Sequence, residues 1–127
     1  MKKGLCPFVL LALLLLAACG EKSTIALDIQ GAQTIELQSG MTGESVTITD
    51  ADTIEQITDN ATSLRYRYIG EPDSSGWSYW IKWLDADCNV IGEMFPYGWH
   101  VVWNDGYYEV SGGTIDEDLL AELLGED

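Results

Sequence analysis

The sequence predicts an α+β fold, an antiparallel β-meander sheet with one face packed by two helices. Three observations lead there. Short stretches alternate apolar and polar residues, the period-two mark of half-buried strands. Two others, Ile54-Ile57-Ala61-Leu64 and Ile115-Leu119-Leu120-Leu123-Leu124, set apolar residues at helical spacing. Twelve of the thirteen aromatic residues fall between Tyr66 and Tyr108, so most of the core must be built there. Strands in runs, with helices segregated from them, make an α+β layer structure.

Thr24 to Ile29 reads as the first strand, and Thr34 to Gln38 and Ser45 to Thr49 as the next two, joined by a turn over Ser39-Gly40-Met41-Thr42-Gly43. A helix follows from about Asp52 to Ser63. Thr49 or Asp50 is its N-cap, and acids stand in its first turn, where the helix dipole favours them. Leu64 to Ile69 opens the meander, and Gly70 to Gly76 is a loop. Trp77 to Leu84, Val90 to Phe95, Trp99 to Trp103 and Tyr107 to Val110 are the remaining strands. Their connections are Asp85 to Asn89, Pro96-Tyr97-Gly98, and Asn104-Asp105-Gly106, the last containing the hairpin dipeptide Asp-Gly. Gly112-Gly113 ends the run, and Thr114 with Glu117 reads as a capping box opening the final helix.

The first residues are not part of this domain. Met1-Lys2-Lys3 is a short basic start, Leu5 to Leu16 is almost unbroken apolar sequence, and Ala17-Ala18 is a small-residue exit. A charged start, an apolar stretch of roughly 7–15 residues and a small-residue cleavage site mark a secretory signal. The apolar run is short of the about 20 residues that a spanning helix needs, and Pro7 interrupts it. Leu16-Ala17-Ala18-Cys19 resembles the lipobox of bacterial lipoproteins. That resemblance implies that the Cys19 thiol receives a diacylglyceryl group and becomes the mature N-terminus, anchored in the cell membrane and facing outside the cytoplasm, or in an outer membrane if the cell has one. Residues 1–18 are then a signal peptide, 19–23 the lipidated cysteine and a short tether, and 24–127 a single domain. The layout as a whole looks like that of small α+β lipoproteins common in Gram-positive anaerobes, a likeness that implies a location and brings no activity with it.

Cleavage removes Lys2 and Lys3. Four cations, Lys22, Arg65, Arg67 and Lys82, then face twenty-one acids, a formal net charge of −17. So acidic a domain is repelled by nucleic acid and by anionic head groups, so nucleic-acid binding is excluded and the membrane is met through the lipid alone. Cys6 leaves with the signal and Cys19 is lipidated. Cys88 is therefore without an intrachain partner, a buried or turn-located structural thiol.

Catalytic chemistry finds little material. His100 is the only histidine, too few for a usual transition-metal site. The P-loop, dinucleotide, H-E-x-x-H, C-x-x-C and G-x-S-x-G patterns are absent. Asp85-x-Asp87-x-Asn89 copies the start of a calcium loop, but Val90 replaces the turn glycine and Pro96 the bidentate glutamate. The triplet reads as a hairpin turn, with low-affinity calcium contact left open. Gly112-Gly113-Thr114 before a helix is a minor candidate for an anion cradle. The expectation is a protein without catalytic residues, cofactor or metal centre.

Strand phase supplies the one candidate site. Trp77, Tyr79, Ile81 and Trp83 share a face, as do Trp99, Val101 and Trp103, and both sets read as core. Trp80 points the other way with Lys82. If Leu64, Tyr66 and Tyr68 face the core, Arg65 and Arg67 also face outward, and His100 joins them. Arg65, Arg67, Trp80, Lys82 and His100 thus form a candidate ligand face for an anionic glycan, a peptide or an envelope protein. The structural alternative is that Glu93 and Glu109 pair with these cations across strands, at about 0.2–1 kcal/mol each. Two functions follow: a membrane-anchored, non-enzymatic binding module, or an accessory structural lipoprotein of an envelope complex with no small ligand.

Overall fold

Alternation in the sequence becomes burial in the sheet. In β2 (Thr34–Ser39) Ile35, Leu37 and Ser39 are buried, while Thr34, Glu36 and Gln38 face the other side and are half-buried. The computed structural model describes residues 24–70 and 77–125, and the signal, Cys19, the tether and most of the Gly70–Gly76 loop lie outside the described residues. The remaining elements are β1 (Thr24–Ile25), β3 (Ser45–Ile48), α1 (Ala51–Thr62), β4 (Arg65–Gly70), β5 (Tyr79–Leu84), β6 (Val90–Tyr97), β7 (His100–Trp103), β8 (Gly106–Ser111) and α2 (Glu117–Leu123). All strands join one antiparallel sheet, ordered β1-β4-β8-β7-β6-β5-β2-β3. The fold is mixed α+β. Strands β5 to β8 form a meander, but β4, expected to open it, pairs instead with β1 and β8 because the chain must return across the sheet to reach β5. The segment carrying α1 is the crossover that takes the chain from β3 at one edge to β4 beside the other.

Helix α1 is capped as its sequence requires. The Asp50 carboxylate accepts the backbone N–H of Thr53 at 2.9 Å and its hydroxyl at 2.7 Å, one donor that the first turn would otherwise leave unpaired. Those two bonds hold the Asp50 carboxyl below its usual range, hydroxyl first and amide second. Ile54, Ile57 and Ala61 of α1 and Leu120 of α2 belong to the same buried cluster as Ile35, Leu37, Ile81, Trp83, Met94 and Val101. Two polar ties hold α1 in place. The Trp83 indole donates to the Thr58 hydroxyl at 3.0 Å, and the Tyr66 hydroxyl donates to the Ala61 carbonyl at 2.5 Å. Burial pushes the Tyr66 phenol well above its ordinary value. Trp83 meets Trp103 edge-on, 5.9 Å between centroids, and a Cβ placed on Gly92 would come within 2.5 Å of the Trp103 ring. Gly92 is therefore the floor on which Trp103 lies.

Several boundaries differ from the sequence reading. Only Thr24–Ile25 of the first strand pairs, with Arg67 and Tyr66, yet Leu27 and Ile29 still bury and Ala26 and Asp28 still face solvent. Burial pattern outlasts the ladder because packing needs no strand partner. Pro96 is not a turn residue. It is buried inside β6, opposite Val101, and the turn is the two residues Gly98-Trp99, with Gly98 at φ +69°. The next turn is Asn104-Asp105, with Asn104 left-handed at φ +53°, its amide and side chain both tied to Glu93. Helix α2 starts later than the Thr114 capping box implies. Its N-cap is Asp116, which accepts from Leu119 N–H at 3.1 Å, and the Glu117 carboxylate instead accepts from the Gly98 amide at 3.1 Å. Gly112-Gly113-Thr114 consequently does not open the helix, and Thr114 gives its carbonyl to Asn60.

Candidate functional site

The register of the central strands fixes what lies on the outward face. Arg67 stands opposite Glu109, Glu109 opposite His100, and His100 opposite Tyr97, one row across β4, β8, β7 and β6. A second row runs from Glu93 through Lys82 and Glu36 to Thr47. Since paired residues share a face, Arg67, Lys82 and His100 do lie on one side of the sheet, with Trp80 two residues before Lys82. Arg65, two residues before Arg67, is exposed there too.

They do not form a single cluster. Four strand spacings separate β4 from β5, about 19 Å along the sheet. Arg65, Arg67 and His100 make one group and Trp80 with Lys82 another.

Each group has acidic company. Arg67 is ion-paired with Glu109. Lys82 Nζ lies 3.3 Å from Glu36 and 4.9 Å from the centre of the Trp80 ring. Glu36 was not expected as its partner, because the β2–β5 pairing joins strands far apart in the chain. Glu93, expected to pair with a cation, accepts the Trp80 indole N–H at 2.7 Å. Exposed pairs of this kind are worth about 0–1 kcal/mol. Among the described residues, Arg65 has no acidic partner.

The aromatic content of this face is larger than phase alone indicates. Trp80 is half-buried. Phe95 stacks on it at 5.3 Å and 20° between planes, and Trp77 meets both rings edge-on at 5.9 and 5.6 Å. Trp77 was expected in the core with Tyr79. It precedes the first paired residue of β5, so strand phase does not bind it, and it turns to join Trp80 instead. Trp99 also leaves the core face: it is 57% exposed, because it belongs to the Gly98-Trp99 turn and not to β7. Its ring lies 4.1 Å from that of His100, which is 5.3 Å from Tyr107. Tyr68 was expected to face the core, yet it is 47% exposed and its ring meets Tyr108 edge-on. Tyr79, Ile81, Trp83, Val101 and Trp103 are buried as their phase requires.

A cleft of about 210 Å³ opens beside the second group. Trp80 and Lys82 line it with Glu36 and Gln38 of β2 and with Ser45 and Thr47 of β3. In the strand order Phe95 of β6 lies on one side of Trp80 and the cleft on the other.

The Asp85–Asn89 turn is occupied by its own backbone. Asp85 accepts the N–H groups of Asp87 and Asn89, each at 2.9 Å, and the Asn89 side-chain amide at 3.3 Å. The bond from the Asn89 backbone N–H leads in holding the Asp85 carboxyl below its usual range. Cys88 completes the turn at φ +66°, exposed and free.

Comparison of the chain with protein-family models, with curated proteins and with solved structures finds no match.

Proposed function

We propose that this protein is a lipid-anchored, extracytoplasmic, non-enzymatic binding module that presents its ligand site on the outward face of the sheet. The leader and the Leu16-Ala17-Ala18-Cys19 motif support the anchor and the location. Both helices, on this reading, cover the opposite face, a disposition supported by the apolar cluster that α1 and α2 share with the inward strand residues. The observation that carries the binding role is Trp80. Its indole N–H is held by Glu93 and its ring is backed by Phe95, so a large aromatic surface is kept in one orientation at the mouth of a cleft. Rigid aromatic anchors of this kind bind at low entropic cost. Arg65, Arg67 and His100 are the complementary group, where an acidic glycan or peptide carboxylate would compete with Glu109.

Three experiments test the reading. Cys19→Ala, or globomycin treatment of the wild type, should leave an uncleaved precursor, and a normally processed soluble protein would refute the anchor. The full-length protein in detergent, applied to glycan and peptide arrays, should bind through the outward face. The Arg67→Ala/Trp80→Ala double variant should lose that binding, with the melting temperature lowered by the loss of Trp80 packing on Phe95 and Trp77. Arg67→Ala alone, at an exposed position, should weaken binding with little change in melting temperature. Binding that survives the double variant would place the site elsewhere. An envelope pull-down that recovers a stoichiometric protein complex, with no array ligand, would favour the structural alternative.

A further inference from the structure

We infer that the cleft beside Trp80 takes a neutral sugar residue, one ring of a longer saccharide; this rests on the outward face being the binding face. The argument is one of matching chemistry. A pyranose presents a face of C–H groups and a rim of hydroxyls, each able to donate and to accept. The cleft presents the same division: the Trp80 ring at one wall, and around it Lys82 as donor, Glu36 as acceptor, and Gln38, Ser45 and Thr47 as both.

Charge decides against the other classes. An anion entering the cleft meets Glu36 and, at the edge of the Trp80 ring, Glu93, while its only cation, Lys82, is already shared with Glu36. A cationic ligand would have to enter beside the Lys82 ammonium. A neutral polyol meets neither obstacle. Its vicinal hydroxyls can bridge the 3.3 Å gap between Lys82 and Glu36, and the pair is exposed enough that opening it costs little.

Size sets the extent. About 210 Å³ is below the roughly 300–1,000 Å³ of sites that enclose a drug-sized molecule, so one ring is held and the rest of the chain lies over the sheet. The Trp80 ring itself stays where Glu93, Phe95 and Trp77 fix it, and only the Lys82 ammonium, 4.9 Å from the ring centre, has to swing aside to uncover the face that receives the sugar.

The test uses the full-length protein in detergent micelles, titrated with neutral hexose and N-acetylhexosamine oligosaccharides up to about 10 mM. A parallel arm uses a uronic-acid oligosaccharide and an extended acidic peptide. Tryptophan fluorescence and saturation-transfer NMR report binding. A neutral oligosaccharide should bind, and Trp80→Leu should weaken it by about tenfold or more. Thr47→Val, at an exposed position where the fold is indifferent, should weaken it severalfold and keeps the proposal testable if Trp80→Leu unfolds. Neutral saccharides that do not bind, or that bind Thr47→Val and Trp80→Leu as tightly as they bind the wild type, overturn the inference. If only the acidic ligands bind, and Arg67→Ala abolishes that, the outward-face reading stands and the sugar cleft falls. Binding by neither arm removes both.

Discussion

The carboxamide of Asn60 holds the start of α2. Its oxygen accepts the Asp116 backbone N–H at 2.8 Å, and its nitrogen donates to the Thr114 carbonyl at 3.1 Å. Asn60 is in the last turn of α1 and Asp116 is the N-cap of α2, so one side chain fastens two helices separated by the whole meander. With each bond worth about 0.5–1.5 kcal/mol net, Asn60→Ala should destabilise by about 1–3 kcal/mol in urea unfolding. Asn60→Asp keeps the acceptor but turns a second oxygen on the Thr114 carbonyl, and should cost at least as much. Equal stability of all three proteins would show that α2 is held by its leucines alone.

Asp50 gives stability an acid limb. Its carboxyl is lowered in the folded state, so its contribution is full above the unfolded value of about 3.8 and is lost as pH falls through the folded one. Asp50→Asn is a neutral cap at every pH. The urea midpoint of the wild type should exceed that of the variant at pH 7, and the gap should shrink as pH falls below about 3.8 toward the lower folded value. A gap that does not change with pH would mean that the carboxylate charge is not what caps α1.

Gly92 should refuse a methyl group. Its Cβ would meet the Trp103 ring at 2.5 Å, and Trp103 is buried against Trp83. Gly92→Ala is expected to cost about 1–3 kcal/mol through overpacking. A near-ultraviolet circular dichroism change should accompany it as Trp103 shifts. No loss of stability would show that the ring moves freely.

Cys88 should react without unfolding. It is exposed and free in a tight turn, so mature protein from membranes should take up one alkylating group under native conditions by intact mass. A second adduct would reveal an unlipidated Cys19. Reaction only after reduction would show Cys88 in an intermolecular disulfide.

How much of this was legible depended on the range of the physics involved. An N-cap at Thr49 or Asp50, which the structure resolves as Asp50, the α1 apolar stripe and the inward set Tyr79-Ile81-Trp83 follow from local spacing. Trp77 and Trp99 leave the expected face because β5 begins two residues later and β7 one residue later than the spacing predicts, which frees each side chain from its strand's phase. Pro96 reads as part of a Pro96-Tyr97-Gly98 turn, yet β6 accommodates it opposite Val101. The site was half readable. The outward set Arg65, Arg67, Trp80, Lys82 and His100 came from phase, but their separation into two groups came from strand order, which no local pattern encodes. Glu36, Gln38 and Thr47 reach the cleft only through the β5-β2-β3 adjacency.

The strand order also sets a lever arm. β1, which follows the tether, is one edge of the sheet, and β5, β2 and β3, which build the cleft, end at the other. Five strand spacings lie between β1 and β5, about 24 Å along the sheet. A chain tied to a bilayer just ahead of β1 would hang from one margin, leaving the opposite margin to swing outward like a hinged leaf. Four extended tether residues reach at most about 14 Å, so the cleft would sweep a shallow shell above the lipid surface. Partners that project a short distance from that same surface would fall within its reach.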